Sequence, residues 1–168
     1  MMSKRKNSKA MVVGLVAVML LSLSFYPFFT RVRVLSGNVQ CQLPGQSFTL
    51  SWIHSVERAL WRESYQVKNG ALHLYRSQFK TFGAGTPYNE ASTLSDGFVE
   101  TAPNVQLPVL YWMISRNVAS TIDADQKVWP IHQDFDDYTE IILTTTQHNI
   151  WTLLKENSCH DLFSISNR

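Results

Sequence analysis

From Ala10 to Phe29 the chain runs for twenty residues without a charge, and only Gly14, Ser22, Ser24 and Pro27 interrupt its apolar character. Wound as a helix, a run of that length reaches about 30 Å, the thickness of a bilayer's hydrocarbon core. A helix buried in a soluble core also tends to carry a polar face, and this one has none. The sequence therefore predicts a single membrane crossing over Ala10 to Phe29. Lys4, Arg5, Lys6 and Lys9 precede it, whereas only Arg31 and Arg33 follow closely. That bias assigns residues 1–9 to a basic cytoplasmic tail and sends residues 31–168 to the far side. Tyr26 and the neighbouring phenylalanines suit the outer interface. A second reading keeps the export and drops the anchor. Ala10 to Leu21 then forms the apolar region of a secretory signal, Ser22-Leu23-Ser24 the small-x-small cleavage site, and the product is soluble.

Beyond the tail, eleven basic residues face thirteen acidic ones, so no basic surface for nucleic acid is indicated. With 45% apolar and 17% charged residues, the exported part has the material for one folded core. Export also bears on Cys41 and Cys159, the only two cysteines, which lie 118 positions apart. In an oxidising compartment they either pair or remain two buried thiols, and spacing alone leaves both open.

The periodicity after Phe29 belongs to strands. Arg31 to Leu35 alternates, turns at Ser36-Gly37-Asn38 and resumes through Val39, Cys41 and Leu43. Phe48, Leu50 and Trp52 alternate with Thr49, Ser51 and Ile53. Tyr65 to Val67 and Ala71 to Tyr75 flank Asn69-Gly70, whose two residues tolerate the positive φ of a type I′ hairpin turn. Leu107 to Ser115 and Tyr138 to Thr145 read as further strands, and Ile150 to Leu154 reads as the last strand of a carboxy-terminal hairpin. Val56 to Glu63 is the one stretch of this part that suits a helical turn, and Thr86 to Thr101 is the expected long loop. The chain is thus expected to be mainly β: an amino-terminal transmembrane helix, then a small antiparallel β-sandwich or barrel. Its predicted core comprises Phe48, Leu50, Trp52, Leu72, Leu74, Leu110, Trp112, Ile141, Leu143 and Trp151.

Two stretches stand apart from the strand pattern: His54-Ser55-Val56-Glu57, and Phe79-x-x-Phe82-Gly83-Ala84-Gly85-x-Pro87. His54, Ser55 and Glu57 are the residue types of a nucleophilic triad, and Glu63 adds a carboxylate. No Gly-x-Ser-x-Gly elbow supports that chemistry. A satisfied structural histidine is the plainer account of His54. Gly83-Ala84-Gly85 can turn its amides toward an anion, or simply form a tight turn; it lacks the Lys-Ser/Thr of a nucleotide loop. The five histidines fall at no zinc spacing. Asp123-x-Asp125 and Asp134-x-Asp136-Asp137 lack the loop glycine and terminal glutamate of a calcium site and read as solvated turns. No metal and no cofactor is expected.

With Glu63-x-Tyr65, the Asn69-Gly70 hairpin and Asp96-Gly97, these two stretches resemble a small bacterial family known as domain of unknown function 1850, over about residues 31–115. The resemblance implies an exported, membrane-anchored β protein of the bacterial inner membrane, its carboxy-terminal domain periplasmic. It also implies genetic company with tripartite transporters of the TAXI type (TRAP transporters), and hence a non-enzymatic accessory role toward a transporter's membrane or solute-binding subunit. It assigns no catalytic residue. His54, Ser55, Glu57, Glu63, Gly83, Gly85 and Pro87 are expected to form one polar cluster for partner contact or internal bracing. The competing functions are an exported hydrolase using His54 with Glu57 or Glu63, and a binder of anions or small molecules built on the Gly83 loop.

Overall fold

The computed structural model describes residues 3–82, 92–163 and 166–167. Two compact units are formed, one from Met1–Phe29 with Gln147–Lys155 and the other from Thr30–Thr146 with Glu156–Arg168.

The first unit contains helix α1 (Ser3–Ser24). It stops short of the Phe29 expected from the apolar run, and the reason is local. Pro27 offers no N–H, and its ring disfavours helical geometry at Tyr26. The chain accordingly leaves the helix through turns in which Phe25 N–H donates to the Ser22 carbonyl and Tyr26 N–H to that of Leu23. Lys4, Arg5, Lys6 and Lys9 occupy the opening turns, so only the stretch from Ala10 to Ser24 is both helical and uncharged. Among the described residues no helix is long and apolar enough to cross a membrane.

The strands in chain order are β1 (Phe29–Ser36), β2 (Val39–Gln42), β3 (Ser47–Ile53), β4 (Leu60–Lys68), β5 (Ala71–Phe79), β6 (Ser92–Ser95), β7 (Phe98–Thr101), β8 (Val105–Leu107), β9 (Val109–Met113), β10 (Thr121–Ala124), β11 (Lys127–Trp129), β12 (Glu140–His148) and β13 (Ser166–Asn167). Three short helices accompany them: α2 (Ile131–Asp134), α3 (Ile150–Leu153) and α4 (Cys159–Leu162). One sheet runs β2-β1-β12-β9; the larger runs β13-β11-β10-β3-β4-β5-β7-β6, with β8 paired to β5. The registered pairs are antiparallel, and the two sheets enclose a shared core as in a sandwich. Val32, Val34, Ile141 and Leu143 enter that core from the smaller sheet; Phe48, Leu50, Tyr65, Leu72, Ile122 and Trp129 enter from the larger. Trp52, Leu74, Leu110 and Trp112 are half-buried against it.

Several expectations need correction. Ile150 to Leu154 is not a strand but the helical turn α3, because Asn149 caps it: its side chain accepts from Thr152 N–H while Thr152 Oγ1 accepts from Asn149 N–H. Trp151 is therefore exposed rather than in the core. Val56 lies in a turn, and Leu60 already begins β4, so Val56 to Glu63 is not helical. The part of the predicted long loop that is described holds a hairpin, β6 and β7, closed by Asp96 and Gly97 at φ 50° and 73°. Pro108 divides Leu107 to Ser115 into β8 and β9. Residues 83–91, with the Gly83 loop, lie outside the described residues.

Cys41, on β2, and Cys159, opening α4, are joined in a disulfide with their Cα atoms 4.9 Å apart, and both are buried. The bridge ties the start of the β domain to its end. Beside it the Gln42 and Arg33 side chains both donate to the Glu156 carboxylate.

Candidate functional site

Strand β3 ends at Ile53, which places His54 and Ser55 on the turn that follows rather than on the sheet. His54 N–H donates to the Ala59 carbonyl, and Arg58 N–H donates back to the carbonyl of His54. Arg58 closes this turn at φ 54°. Within it the Glu57 N–H donates to His54 Nδ1 at 3.3 Å, so the neutral ring carries its proton on Nε2. The imidazole stacks on Trp61, with ring centres 4.7 Å apart and planes 18° from parallel. Trp61 in turn donates its indole N–H to Glu57 Oε2 at 3.4 Å. His54, Glu57 and Trp61 thus brace one another, and the Glu57 carboxylate goes to the indole instead of to the imidazole.

Glu63 lies on β4. It stands opposite Leu50 on β3 and Ser77 on β5. Cross-strand partners share a face, so its carboxyl lies on the core side of the sheet. There it accepts from the Tyr65 hydroxyl. Burial pushes the Glu63 pKa above the ordinary carboxylate range, with the Tyr65 bond opposing the shift more weakly. The Tyr65 hydroxyl is raised by burial and by the neighbouring carboxylate. Of the expected polar cluster, His54 and Glu57 share a turn and Glu63 pairs with Tyr65, while Gly83, Gly85 and Pro87 lie outside the described residues.

What the sequence did not reveal is an open cleft of about 440 Å³ beside His54 and Ser55. Trp52 from β3 and Trp112 from β9 meet in it, ring centres 4.9 Å apart. Tyr111, Met113 and Tyr138 are exposed at its margin. Trp112 is held by donating its indole N–H to Ser120 Oγ at 3.0 Å. Tyr138 sits at φ 70°, a left-handed conformation costly for an aromatic residue, and its N–H donates to the Ile114 carbonyl. Asp137 steadies the approach by accepting from Arg116 N–H at 2.7 Å. Sequence gives no mark of a positive φ outside Gly, Asn and Asp, so nothing in the chain pointed to Tyr138.

A family model described as Domain of unknown function (DUF1850) matches residues 48–131, half of the chain. The chain belongs to this family. The DUF1850 match runs from β3 through β11 to Ile131, farther toward the carboxy terminus than the resemblance read from the motifs. It includes His54, Glu57, Glu63 and Trp112, whereas Tyr138 and Cys159 lie beyond it. No curated protein and no solved structure matches the chain.

Asp125 and Gln126 form the β10–β11 turn at φ 53° and 61°, and Asp134 accepts from the Trp129 indole at 2.7 Å. Among the described residues no group of three metal-ligating side chains converges.

Proposed function

We propose that this DUF1850 protein is a non-enzymatic accessory protein, anchored in the bacterial inner membrane by Ala10 to Phe29, whose periplasmic β domain contacts a component of a TAXI-type tripartite transporter. The observation that carries the contact role is the aromatic cleft. Tyr111, Met113 and Tyr138 leave large apolar surface in water around it, and an exposed aromatic held at positive φ is strain that a binding surface explains. Aromatic residues and methionine are the types enriched where proteins meet.

Export draws support from the Cys41–Cys159 disulfide, because such bridges persist in oxidising compartments. An anchor draws support from the unbroken apolar surface of α1, exposed from Met11 to Leu23 with no polar face. Its uncharged helical part is shorter than the usual span of about twenty residues, and Lys9 can snorkel while Phe25 to Phe29 fill the outer boundary. The transporter as partner rests on the family resemblance. The hydrolase alternative gains no observation, since Glu57 and Glu63 are engaged by Trp61 and Tyr65.

The test is recovery of partners from membranes. The tagged full chain, crosslinked in cells and purified in mild detergent, should bring down a transporter subunit identifiable by mass spectrometry. Tyr138→Ser should lose that partner while the protein stays folded and membrane-bound. Recovery of no transporter component, or recovery that the substitution leaves unchanged, overturns the reading.

A further inference from the structure

The first compact unit joins the amino-terminal helix to a segment far away in sequence, Gln147–Lys155. The join is specific. Trp151 donates its indole N–H to Ser24 Oγ at 3.1 Å, Asn149 Nδ2 donates to the Phe25 carbonyl at 3.4 Å, and the rings of Phe25 and Trp151 lie 6.3 Å apart. All three contacts fall where α1 ends. The capping box at Asn149 and Thr152 fixes the turn that presents Trp151.

The segment leaves its own apolar side chains uncovered. Ile150, Trp151 and Leu154 are 43%, 49% and 77% exposed, and Phe25, Tyr26 and Phe28 are 59%, 61% and 56% exposed. Six large apolar or aromatic residues thus flank one end of a helix that is uncharged on every side from Ala10 to Ser24. Scattered exposed apolar residues need no explanation, but a collar of this composition does. Trp and Tyr concentrate where hydrocarbon meets headgroups, because the ring is apolar and its polar group stays wet. Lys155, exposed at the end of the segment, supplies a charge suited to anionic headgroups.

We infer that Ile150 to Leu154 is a second membrane contact, lying with Phe25, Tyr26 and Phe28 at the boundary between acyl chains and headgroups of a phospholipid bilayer. Continuity with the apolar helix is what selects lipid over a protein partner. The contact pins the chain to the bilayer at two places, before β1 and after β12. It deepens the anchored reading and depends on it.

Trp151 is the only tryptophan of this unit, since Trp52, Trp61, Trp112 and Trp129 belong to the other. The full chain is reconstituted into vesicles of phosphatidylethanolamine and phosphatidylglycerol, with or without bromine on the acyl chains near the headgroup. Brominated lipid should quench part of the tryptophan emission, and Trp151→Phe should remove that quenching while circular dichroism stays the same. Protein that floats with the vesicles but is not quenched overturns the lipid contact and leaves the anchor standing. Quenching that persists in Trp151→Phe overturns the contact in the same way. Protein that does not float overturns the anchor and this contact together.

Discussion

The amino-terminal helix and the β domain use the same apolar side chains to opposite ends. In the β domain Val34, Leu50, Leu72, Ile141 and Leu143 are wholly buried, whereas in α1 Met11, Leu15, Met19 and Leu20 stand more than half exposed. Period explains the contrast. The strands alternate, so each lends one face to a core shared between two sheets. From Ala10 to Ser24 the helix is uncharged on every side and has no separate apolar face to lend to a core. Hydrophobicity alone does not say where a residue goes; its pattern along the chain does.

The heaviest blow to the β domain should come from the disulfide. Opening Cys41–Cys159, by reduction or by replacing both cysteines with serine, frees a loop that the chain-entropy model values at about 4 to 5 kcal/mol. Denaturant unfolding of the purified protein with and without reductant measures it, and equal midpoints would show that the bridge adds no stability. Core truncation comes next and tests the contrast directly. Leu143→Ala or Leu50→Ala should cost about 2 to 5 kcal/mol, the range for cavities in packed cores. Leu20→Ala in α1 should leave the same unfolding transition within about 0.5 kcal/mol, as surface substitutions do. A comparable loss at Leu20 would mean that the helix is part of the cooperative core.

A smaller effect is expected at His54. His54→Ala removes the acceptor for Glu57 N–H and the face on which Trp61 stacks, and should lower stability by about 1 to 3 kcal/mol. His54→Asn, which can still accept that bond, should recover part of the loss. If neither substitution moves the midpoint, the bracing of the turn is not what holds His54 there.

How far the sequence can be read depends on whether a signal is local. Asn69-Gly70 announces its hairpin because positive φ at both positions is a property of those residues themselves, and they sit at 53° and 75°. Asp96-Gly97 carries the same signal, yet β6 and β7 are only four residues each, too short for an alternation to stand out from a loop. Ile150 to Leu153 misleads for another reason. A short apolar run fits strand and helix equally, and the deciding mark is Asn149 with Thr152, a cap rather than a period. His54 and Glu57 stand out by their motif and do share a turn. The cleft beside them leaves no such trace, because Trp52 and Trp112 come from different sheets and Tyr138 from the turn before β12, all remote in sequence.

The smallest expected effect concerns pH and asks how far the core side of the sheet reaches toward a polar residue. Glu63 is held on that face with a pKa above its ordinary value of 4.5. A carboxyl whose folded pKa is raised binds its proton more tightly in the folded state than in the unfolded one. Its contribution is then fully present below the unfolded pKa and is lost as pH rises through the folded one, the reverse of an ion-paired carboxylate. Glu63→Gln keeps a group that can accept from Tyr65 and cannot ionise. The stability of the native protein relative to Glu63→Gln should therefore decline as pH rises from the ordinary carboxylate value of 4.5 through the raised folded one. Denaturant midpoints across that range decide it: two parallel curves for the native protein and Glu63→Gln would place the charge of Glu63 in water, and with it the carboxyl outside the core face to which its register with Leu50 assigns it.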